Sequence, residues 1–414
     1  MGLLRFFTAG NVDDGKSTLI GRLLYDSNSI STDIIETLTK QSKTTGGDTK
    51  IDLALLTDGL RAEREQGITI DVAYKYFSTH KRKFIIADTP GHIQYTRNMF
   101  TGASNADLAI ILVDARNGIT DQTKRHSIIS AILGIPHVLV CINKMDLVDY
   151  SEETYKQIEA DYLVFSKQLK LKEVSFIPAS ALAGDNVVTK SDKMTWYKGK
   201  PLLKFLETTE IAELKKTEAS RFQVQYVIRP QTDELHDYRG FAGRVISGVY
   251  KKGEQVVVLP SGIETTIDKI EVNQKEIEAA ETNTPVVLHL KDDVDVSRGN
   301  SIVPIAHLPK TTKELTATIC WMDSAAFIPG QKILLQQNSF RTKAVIKEVI
   351  GKIDIHSFAA LESDGSMNLN DICKVLIKTA EPISYDSYAV NRGSGAFILI
   401  NENTNKTIAA GTIE

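Results

Sequence analysis

The first half of the chain, from Leu3 to about Leu206, alternates short apolar runs with segments of helical periodicity. This alternation predicts an α/β domain, with a mainly parallel sheet covered by helices on both faces and ligands at the carboxyl edge of the strands. The expected strands are Leu3–Thr8, Asp71–Thr79, Lys83–Ala87, Leu108–Val113, Val138–Ile142 and Val174–Pro178, and the expected helices include Lys16–Tyr25, Gln122–Leu133 and Glu152–Leu169.

The pattern changes after a charged stretch, Glu207–Ser220, which we interpret as a linker. Beyond it, short alternating runs are separated by turns rich in Gly, Pro and Asp, which is typical of a β-barrel or β-sandwich. A second β unit begins near Lys310, so we expect an α/β domain at 1–210 and two β-barrel domains at 219–308 and 310–414. The alternating runs are Phe222–Ile228, Gly243–Tyr250, Glu254–Leu259, Glu314–Trp321, Gln331–Gln336, Thr342–Ile350, Asp371–Thr379 and Ala396–Ile400.

A glycine-rich segment between the first strand and the first helix fits the template G-x-x-x-x-G-K-[ST] of a phosphate-binding loop. Its glycines let backbone N–H groups converge on a phosphate chain. Lys16 adds a positive charge near the outer phosphates, and the Ser17 hydroxyl can ligate Mg²⁺. The expected phosphate-binding residues are Gly10, Asn11, Val12, Asp13, Asp14, Gly15, Lys16, Ser17 and Thr18.

A second motif, Asp88-Thr-Pro-Gly91, directly follows the apolar strand that ends at Ala87. Asp88 therefore lies at the carboxyl end of a strand, where it can hold Mg²⁺ through a water molecule. The backbone N–H of Gly91 can bind a γ-phosphate. Both residues are expected at the phosphate end of the nucleotide site.

Two further segments specify the base. The segment 143–146 fits the pattern N-K-x-D, and its Asp146 carboxylate can accept hydrogen bonds from N1–H and the exocyclic amine of guanine. Adenine lacks this pair of donors and would leave the carboxylate unpaired. The four motifs, in order and each at a strand end, predict a P-loop GTPase domain that binds GTP. The expected base-binding residues are Asn143, Lys144, Asp146, Ser180, Ala181 and Leu182.

Composition narrows the class of protein further. The apolar fraction of 42% and charged fraction of 24% in 414 residues are typical of a globular protein with several domains. A net charge of −3 gives no electrostatic sign of nucleic-acid binding. Cys141, Cys320 and Cys373 are scattered and odd in number, which favours buried thiols in a reducing compartment. No membrane span or targeting signal is evident, so we expect a cytoplasmic protein.

The ordered motifs make the chain similar to translation-factor GTPases, the superfamily of elongation factors Tu and 1A. Within it, the chain most closely resembles the large, GTP-hydrolysing subunit of bacterial heterodimeric sulfate adenylyltransferase (ATP sulfurylase). The resemblance covers essentially the whole chain and is clearest in the phosphate loop Asn11–Lys16, the first switch Arg61–Tyr74, the second switch Gln94–Met99 and the last barrel at Asp386–Ile400.

The resemblance implies roles for switch residues. Thr69 would ligate Mg²⁺ and the γ-phosphate in the GTP state, and His92 would orient the attacking water. Asp13 would help to hold a cation beside the phosphates, although either Asp13 or Asp14 could instead point to solvent or cap the following helix. Ile93 departs from the family, which usually has Glu at this position, and this puts the hydrolysis rate or partner coupling in doubt.

The same resemblance implies a function. The chain would couple GTP hydrolysis to adenylyl transfer from ATP to sulfate, which yields adenosine 5′-phosphosulfate and diphosphate. The transfer itself would occur on a separate small catalytic subunit, with GTP and Mg²⁺ as the ligands of this chain and no nucleic acid or membrane as a partner. The alternatives are an elongation-factor-like GTPase that delivers aminoacyl-tRNA, or a regulatory GTPase that has lost coupling.

Overall fold

A computed structural model describes residues 2–27, 29–30, 53, 71–92, 95–169, 171–210, 219–230, 238–354, 360–362 and 364–414. The chain forms two compact units, the first made chiefly of residues 1–212 and the second of residues 213–353 and 360–414. In the described part of the chain, no helix combines the length and the apolar character needed to cross a bilayer.

The first unit is built on a six-stranded sheet in the order β2-β3-β1-β4-β5-β6. Neighbouring strands run parallel, except for the edge strand β2, which is antiparallel to β3. Every residue of β4 and β5 is buried, as expected for central strands of a parallel sheet. The strands are β1 Leu3–Ala9, β2 Ala73–Ser78, β3 Lys83–Asp88, β4 Leu108–Asp114, β5 His137–Asn143 and β6 Glu173–Pro178.

Helices alternate with these strands, so the predicted α/β fold class is confirmed for the first unit. Two helix starts carry side-chain caps: the Thr120 hydroxyl accepts the Thr123 N–H, and the Ser151 hydroxyl accepts the Thr154 N–H. The helices are α1 Lys16–Asp26, α2 Thr96–Ala103, α3 Asp121–Ile132, α4 Glu152–Ser166 and α5 Leu202–Thr208, with 3₁₀ turns at Met145–Val148 and Lys167–Leu169.

The predicted linker at Glu207–Ser220 is wrong at its start, which lies in α5, but the two compact units do divide within this segment, after residue 212. Glu207 lies in α5, which buries Leu202 and Leu206, and its carboxylate pairs with the Lys81 ammonium at 3.0 Å. Ser220 is buried, and its hydroxyl donates to the carbonyl of Val249 at 2.8 Å. Charged composition suggested a linker, but apolar packing and hydrogen bonds order both ends. Residues 211–218 lie outside the described residues.

The second unit begins with a seven-stranded sheet in the order β10-β15-β7-β8-β14-β11-β12. An additional pairing of β10 with β11 closes six of these strands into a barrel. This closure shows that the domain is the predicted barrel and not a sandwich, which the same strand spacing would also allow. The strands are β7 Arg221–Ile228, β8 Gly240–Ser247, β9 Val249–Lys251, β10 Gln255–Leu259, β11 Ile263–Val272, β12 Lys275–Ile277, β13 Ala279–Glu281, β14 Pro285–Leu290 and β15 Ser301–Pro304, followed by a 3₁₀ turn at Ile305–His307.

A second seven-stranded sheet follows, in the order β17-β21-β22-β16-β20-β18-β19. It closes in the same way, through pairing of β17 with β18, around a core that includes Trp321. The predicted order of an α/β domain followed by two β-barrels is therefore confirmed. The elements are β16 Lys310–Trp321, β17 Ile333–Gln337, β18 Phe340–Ile353, β19 Ala360–Leu361, β20 Ile372–Tyr385, α6 Arg392–Gly395, β21 Ala396–Asn401 and β22 Thr407–Ile413.

Candidate nucleotide-binding site

All the described candidate residues lie at one edge of the six-stranded sheet. The phosphate loop follows β1, Asp88 is the last residue of β3, Asn143 is the last residue of β5, and Ser180 comes shortly after β6. The parallel register pairs Thr8 with Asp88, so the ends of β1 and β3 lie side by side. This is the carboxyl edge at which the sequence placed the ligand.

The phosphate loop turns tightly into α1. Gly15 has φ +89°, and a Cβ built there would lie 2.5 Å from the Nδ2 atom of Asn143, so both conformation and space favour glycine. Gly15 is the N-cap residue of α1, and no side chain caps the helix there by a hydrogen bond. The first N–H groups of α1 therefore point toward the loop with a partial positive charge, an arrangement suited to a phosphate.

Lys16 is buried within this loop. Its Nζ atom donates to the carbonyl oxygens of Gly10 and Asn11, at 3.0 Å each. Burial lowers the pKa of the Lys16 ammonium, and the carboxylates of Asp88 and Asp14 oppose that change. A buried ammonium that donates to two neutral carbonyls would gain strongly from an anionic ligand.

Asp14 neither points to solvent nor caps α1, so both simple roles considered for it are wrong. Its side chain is buried, and its Oδ2 atom accepts the backbone N–H of Asn11 at 2.6 Å. Burial raises the pKa of Asp14, while the hydrogen bond from Asn11 and the charge of Lys16 act in the other direction. Asp14 thus stabilises the loop through a hydrogen bond inside it. Asp13, in contrast, is exposed and has φ +71°.

Asp88 and Gly91 face the phosphate loop. The Asp88 carboxylate is buried and accepts the Thr8 hydroxyl at 3.0 Å. A Cβ built on Gly91 would lie 2.5 Å from the Nζ atom of Lys16 and 2.6 Å from the carbonyl oxygen of Gly10. The backbone at Gly91 therefore approaches the loop so closely that a side chain would not fit.

Asn143 connects the phosphate loop to the base-binding loop. Its Nδ2 atom donates to the carbonyl of Asp14 at 2.8 Å, and its Oδ1 atom accepts the N–H of Ala181 at 2.9 Å. Arg22 of α1 makes a second connection, since its guanidinium donates to the carbonyls of Ala181 and Leu182. No sequence pattern indicated Arg22, because the contact joins residues about 160 positions apart.

Lys144 and Asp146 complete the described base site. Lys144 has φ +62°, and its Nζ atom pairs with the Asp114 carboxylate at 2.9 Å. Burial disfavours the charged form of Asp114, but hydrogen bonds from Arg116 and Lys144 outweigh it and hold the pKa of Asp114 well below its usual range. The Oδ1 atom of Asp146 is buried and has no hydrogen-bond partner among the described residues. This acceptor fits the donor edge of guanine.

The loop after β6 has internal support that the sequence did not reveal. Ser180 is buried, and its N–H donates to the carbonyl of Asp185 at 3.1 Å. The Asp185 carboxylate accepts hydroxyl groups from Tyr150 at 3.0 Å and Ser191 at 2.8 Å. Leu182 at the tip is 63% exposed, so it can cover the face of a bound base.

The switch residues are only partly described. His92 is exposed next to Gly91, with its ring centroid 6.4 Å from that of Tyr95. Thr69 and Ile93 lie outside the described residues, and so does most of the first switch. The structure therefore brings His92 to the phosphate edge and leaves the roles of Thr69 and Ile93 as predictions.

Comparison with known proteins places the chain in a class. Residues 2–228 match the family "Elongation factor Tu GTP binding domain", and residues 314–414 match the family "GTP-eEF1A C-terminal domain-like". Together with the sheet order and the two barrels, these matches define a GTP-binding protein of the translation-factor type, with a GTPase domain.

Full-length relatives are more specific. The chain is 51% identical to sulfate adenylyltransferase subunit 1 of Alteromonas mediterranea, over 99% of this chain and 86% of the relative. It is 48% identical to the protein of the same name from Colwellia psychrerythraea, over 99% and 87%. It is also 48% identical to the bifunctional enzyme CysN/CysC of Mycobacterium tuberculosis, over 99% of this chain and 67% of that protein. The chain belongs to the sulfate adenylyltransferase subunit 1 family, as the resemblance implied.

Proposed function

We propose that this chain binds GTP at the carboxyl edge of its first sheet and hydrolyses it. The Asn143 side chain supports this proposal most directly, because it holds the phosphate loop and the base-binding loop in one arrangement. The unpaired Asp146 acceptor then selects guanine, and Lys16 neutralises the outer phosphates. The N–H of Gly91 would bind the γ-phosphate, and His92 would orient the attacking water.

The donor set at the phosphate edge fits Mg²⁺, which prefers hard oxygen ligands and keeps several of its waters. We propose that Ser17 and Thr69 ligate the ion through their hydroxyl groups and that Asp88 holds it through water. The buried Asp88 carboxylate is well placed for this, since the Thr8 hydroxyl fixes one of its oxygens. When bound, Mg²⁺ would neutralise negative charge that develops on the phosphates.

We further propose that hydrolysis of GTP drives adenylyl transfer from ATP to sulfate. Formation of the phosphosulfate anhydride has a strongly unfavourable free energy, which gives a physical reason to hydrolyse a second nucleotide. The sequence contains one phosphate-binding loop and no evident second site for ATP and sulfate. We therefore assign the transfer itself to a separate small catalytic subunit, consistent with the words "subunit 1" in the names of the relatives.

The state of the cysteines bears on the cellular compartment in which the protein acts. Cys141, Cys320 and Cys373 are all free and buried. Free thiols are typical of proteins kept in a reducing compartment, and we propose that this protein acts in the cytoplasm.

A reconstitution experiment tests the division of labour. The isolated chain, supplied with GTP, ATP and sulfate, should make no adenosine 5′-phosphosulfate, and addition of the small subunit should restore synthesis. Synthesis by the isolated chain would contradict the assignment. A filter-retention assay with aminoacyl-tRNA tests the alternative function, because a delivery factor would bind charged tRNA only in the GTP state.

A further inference from the structure

One side chain outside the recognised motifs contacts the Asp88–Gly91 motif. Gln122 lies in the first turn of α3, and its Nε2 atom donates to the carbonyl oxygen of Gly91 at 2.7 Å. None of the four nucleotide-binding motifs includes α3. The bond therefore connects a regular helix to the residue on which γ-phosphate binding is proposed to depend.

The bond determines the orientation of a particular peptide group. The carbonyl of Gly91 and the N–H of His92 belong to the same planar trans peptide, so they point in opposite directions. When Gln122 holds the Gly91 carbonyl, it therefore also fixes the direction in which the backbone enters His92. Glycine permits this peptide to turn, because Gly91 lacks the Cβ that would restrict its backbone.

Gln122 also has unused hydrogen-bonding capacity. Its Oε1 atom is buried and has no hydrogen-bond partner among the described residues. The Nδ1 atom of His126, one helical turn further along α3, is in the same condition. A buried polar atom without a partner destabilises the fold, so a second hydrogen-bond partner for Gln122 would be favourable. An amide can serve either orientation of the Gly91–His92 peptide, through Nε2 to the carbonyl or through Oε1 to the N–H.

We propose that Gln122 is a positioning residue for GTP hydrolysis, which orients the Gly91–His92 peptide and through it the His92 side chain. This inference rests on the proposed function of His92. In the structure Gln122 holds the Gly91 carbonyl while His92 is exposed. If the Gly91–His92 peptide reverses when GTP binds, the Gln122 amide can accept the His92 N–H through Oε1 in place of donating to the carbonyl, so it supports both orientations.

Kinetics of matched variants test the proposal. Gln122→Met keeps the size of the side chain and removes both hydrogen-bonding groups, whereas Gln122→Glu retains only acceptors. Each should lower kcat for GTP hydrolysis about tenfold and change KM less than twofold, because an oriented hydrogen bond is lost and the nucleotide contacts remain. The control Gln157→Met removes an exposed amide on α4 and should change neither constant.

A double variant separates positioning from a general structural effect. If Gln122 acts through His92, Gln122→Met should slow hydrolysis very little in a His92→Ala background. Equal and additive losses in the two backgrounds would overturn the proposal. If the wild-type chain does not hydrolyse GTP even with its partner, the proposed function itself is wrong. That outcome is distinct from a failure of the Gln122 proposal.

Hydrogen exchange in the nucleotide-free protein gives a readout besides activity. Loss of the Gln122 bond should raise exchange in the segment 88–92 at least threefold in both variants, with little change in β4 and β5. Unchanged exchange in segment 88–92 would show that Gln122 does not hold this peptide. A rise spread over the whole sheet would indicate global destabilisation and would also overturn the inference.

Discussion

Asn143 and Asp14 are 129 residues apart in the chain, and the Nδ2 atom of Asn143 donates to the carbonyl oxygen of Asp14 at 2.8 Å. The other end of the same amide accepts the N–H of Ala181. One buried side chain thus sets the distance between the loop expected to hold phosphates and the loop expected to hold the base. An asparagine suits this position because its carboxamide offers a donor and an acceptor on separate atoms, one directed at each loop.

Asn143→Ala should therefore weaken the binding of GTP and GDP together. Two buried hydrogen bonds are lost and their backbone partners are left unpaired, which together cost about 2–3 kcal/mol, or roughly a 100-fold loss of affinity. Titration with a fluorescent guanine nucleotide measures this loss. Asn117→Ala, at an exposed position of the same unit, is the control and should bind as the wild type does. A wild-type affinity in Asn143→Ala would show that the two loops are positioned independently.

Asp146→Asn should change the preferred base. The carboxylate would accept both donors of guanine, whereas an amide could instead donate to the second carbonyl of xanthine. We expect GTP affinity to fall about 100-fold and affinity for xanthosine triphosphate to rise, as measured by competition binding. Retention of the preference for GTP would mean that the buried Oδ1 atom of Asp146 does not contact the base.

His126 makes the stability of the protein depend on pH. Burial, with a smaller effect from Lys16 and Arg125, lowers the pKa of His126 to about 3, against about 6.5 in the unfolded chain. Between these values the unfolded chain binds a proton that the folded protein does not, so the free energy of unfolding falls as the pH falls. At pH 5 the contribution is a loss of about 2 kcal/mol.

Urea unfolding between pH 7 and pH 5 tests this assignment. His126→Gln should lose less stability over this range than the wild type, because the titrating group is gone. His80→Gln, at an exposed position, is the matched control. Parallel pH profiles for His126→Gln and the wild type would show that the buried imidazole does not contribute to the slope.

Arg221 and Asp386 fasten the two barrels of the second unit to each other. The guanidinium makes a bidentate pair with the carboxylate, with both N–O distances 2.8 Å, and the two side chains are only 7% and 14% exposed. Asp386→Ala would leave a buried guanidinium without its partner, which should cost about 3 kcal/mol.

Calorimetry of the whole chain measures this cost as a lower transition temperature for the second unit. Glu314→Ala breaks the exposed pair with Lys347 and should cost less than about 0.5 kcal/mol. Similar shifts in transition temperature for Asp386→Ala and Glu314→Ala would contradict the view that burial makes the Arg221–Asp386 ion pair more stabilising than an exposed pair.

The sequence predicted all six strands of the first sheet and the motifs that follow four of them, because buried strands leave contiguous apolar runs in the chain. It predicted neither the order of the strands within a sheet nor several strands of the barrels, such as β11 and β14. Asp88 and Asn143 were both expected at strand ends, and each is the last residue of its strand. Strand spacing is typical of both a barrel and a sandwich, because closure depends on pairing between distant strands. Pairing of β10 with β11 and of β17 with β18 confirms the barrels that were predicted.

Other features depend on contacts that leave no local pattern. The bond from Gln122 to Gly91 and the bond from Arg22 to Leu182 join elements that are close only after folding. The two roles considered for Asp14 were wrong for the same reason. A carboxylate in an anion-binding loop is expected to be exposed, and the sequence does not show that it accepts the Asn11 N–H. The charged end of α5 looked like a linker because its packing partners lie elsewhere in the chain.

Coupling of the two reactions is best tested by GTP turnover of the purified chain, with and without the small subunit, ATP and sulfate. We expect turnover that requires the partner and its substrates and that disappears in His92→Ala while GTP still binds. Phosphosulfate made equally well without GTP, and turnover independent of the partner, would contradict this coupling. That result would identify a GTPase that has lost coupling, for which Ile93 in the second switch would be the first residue to change.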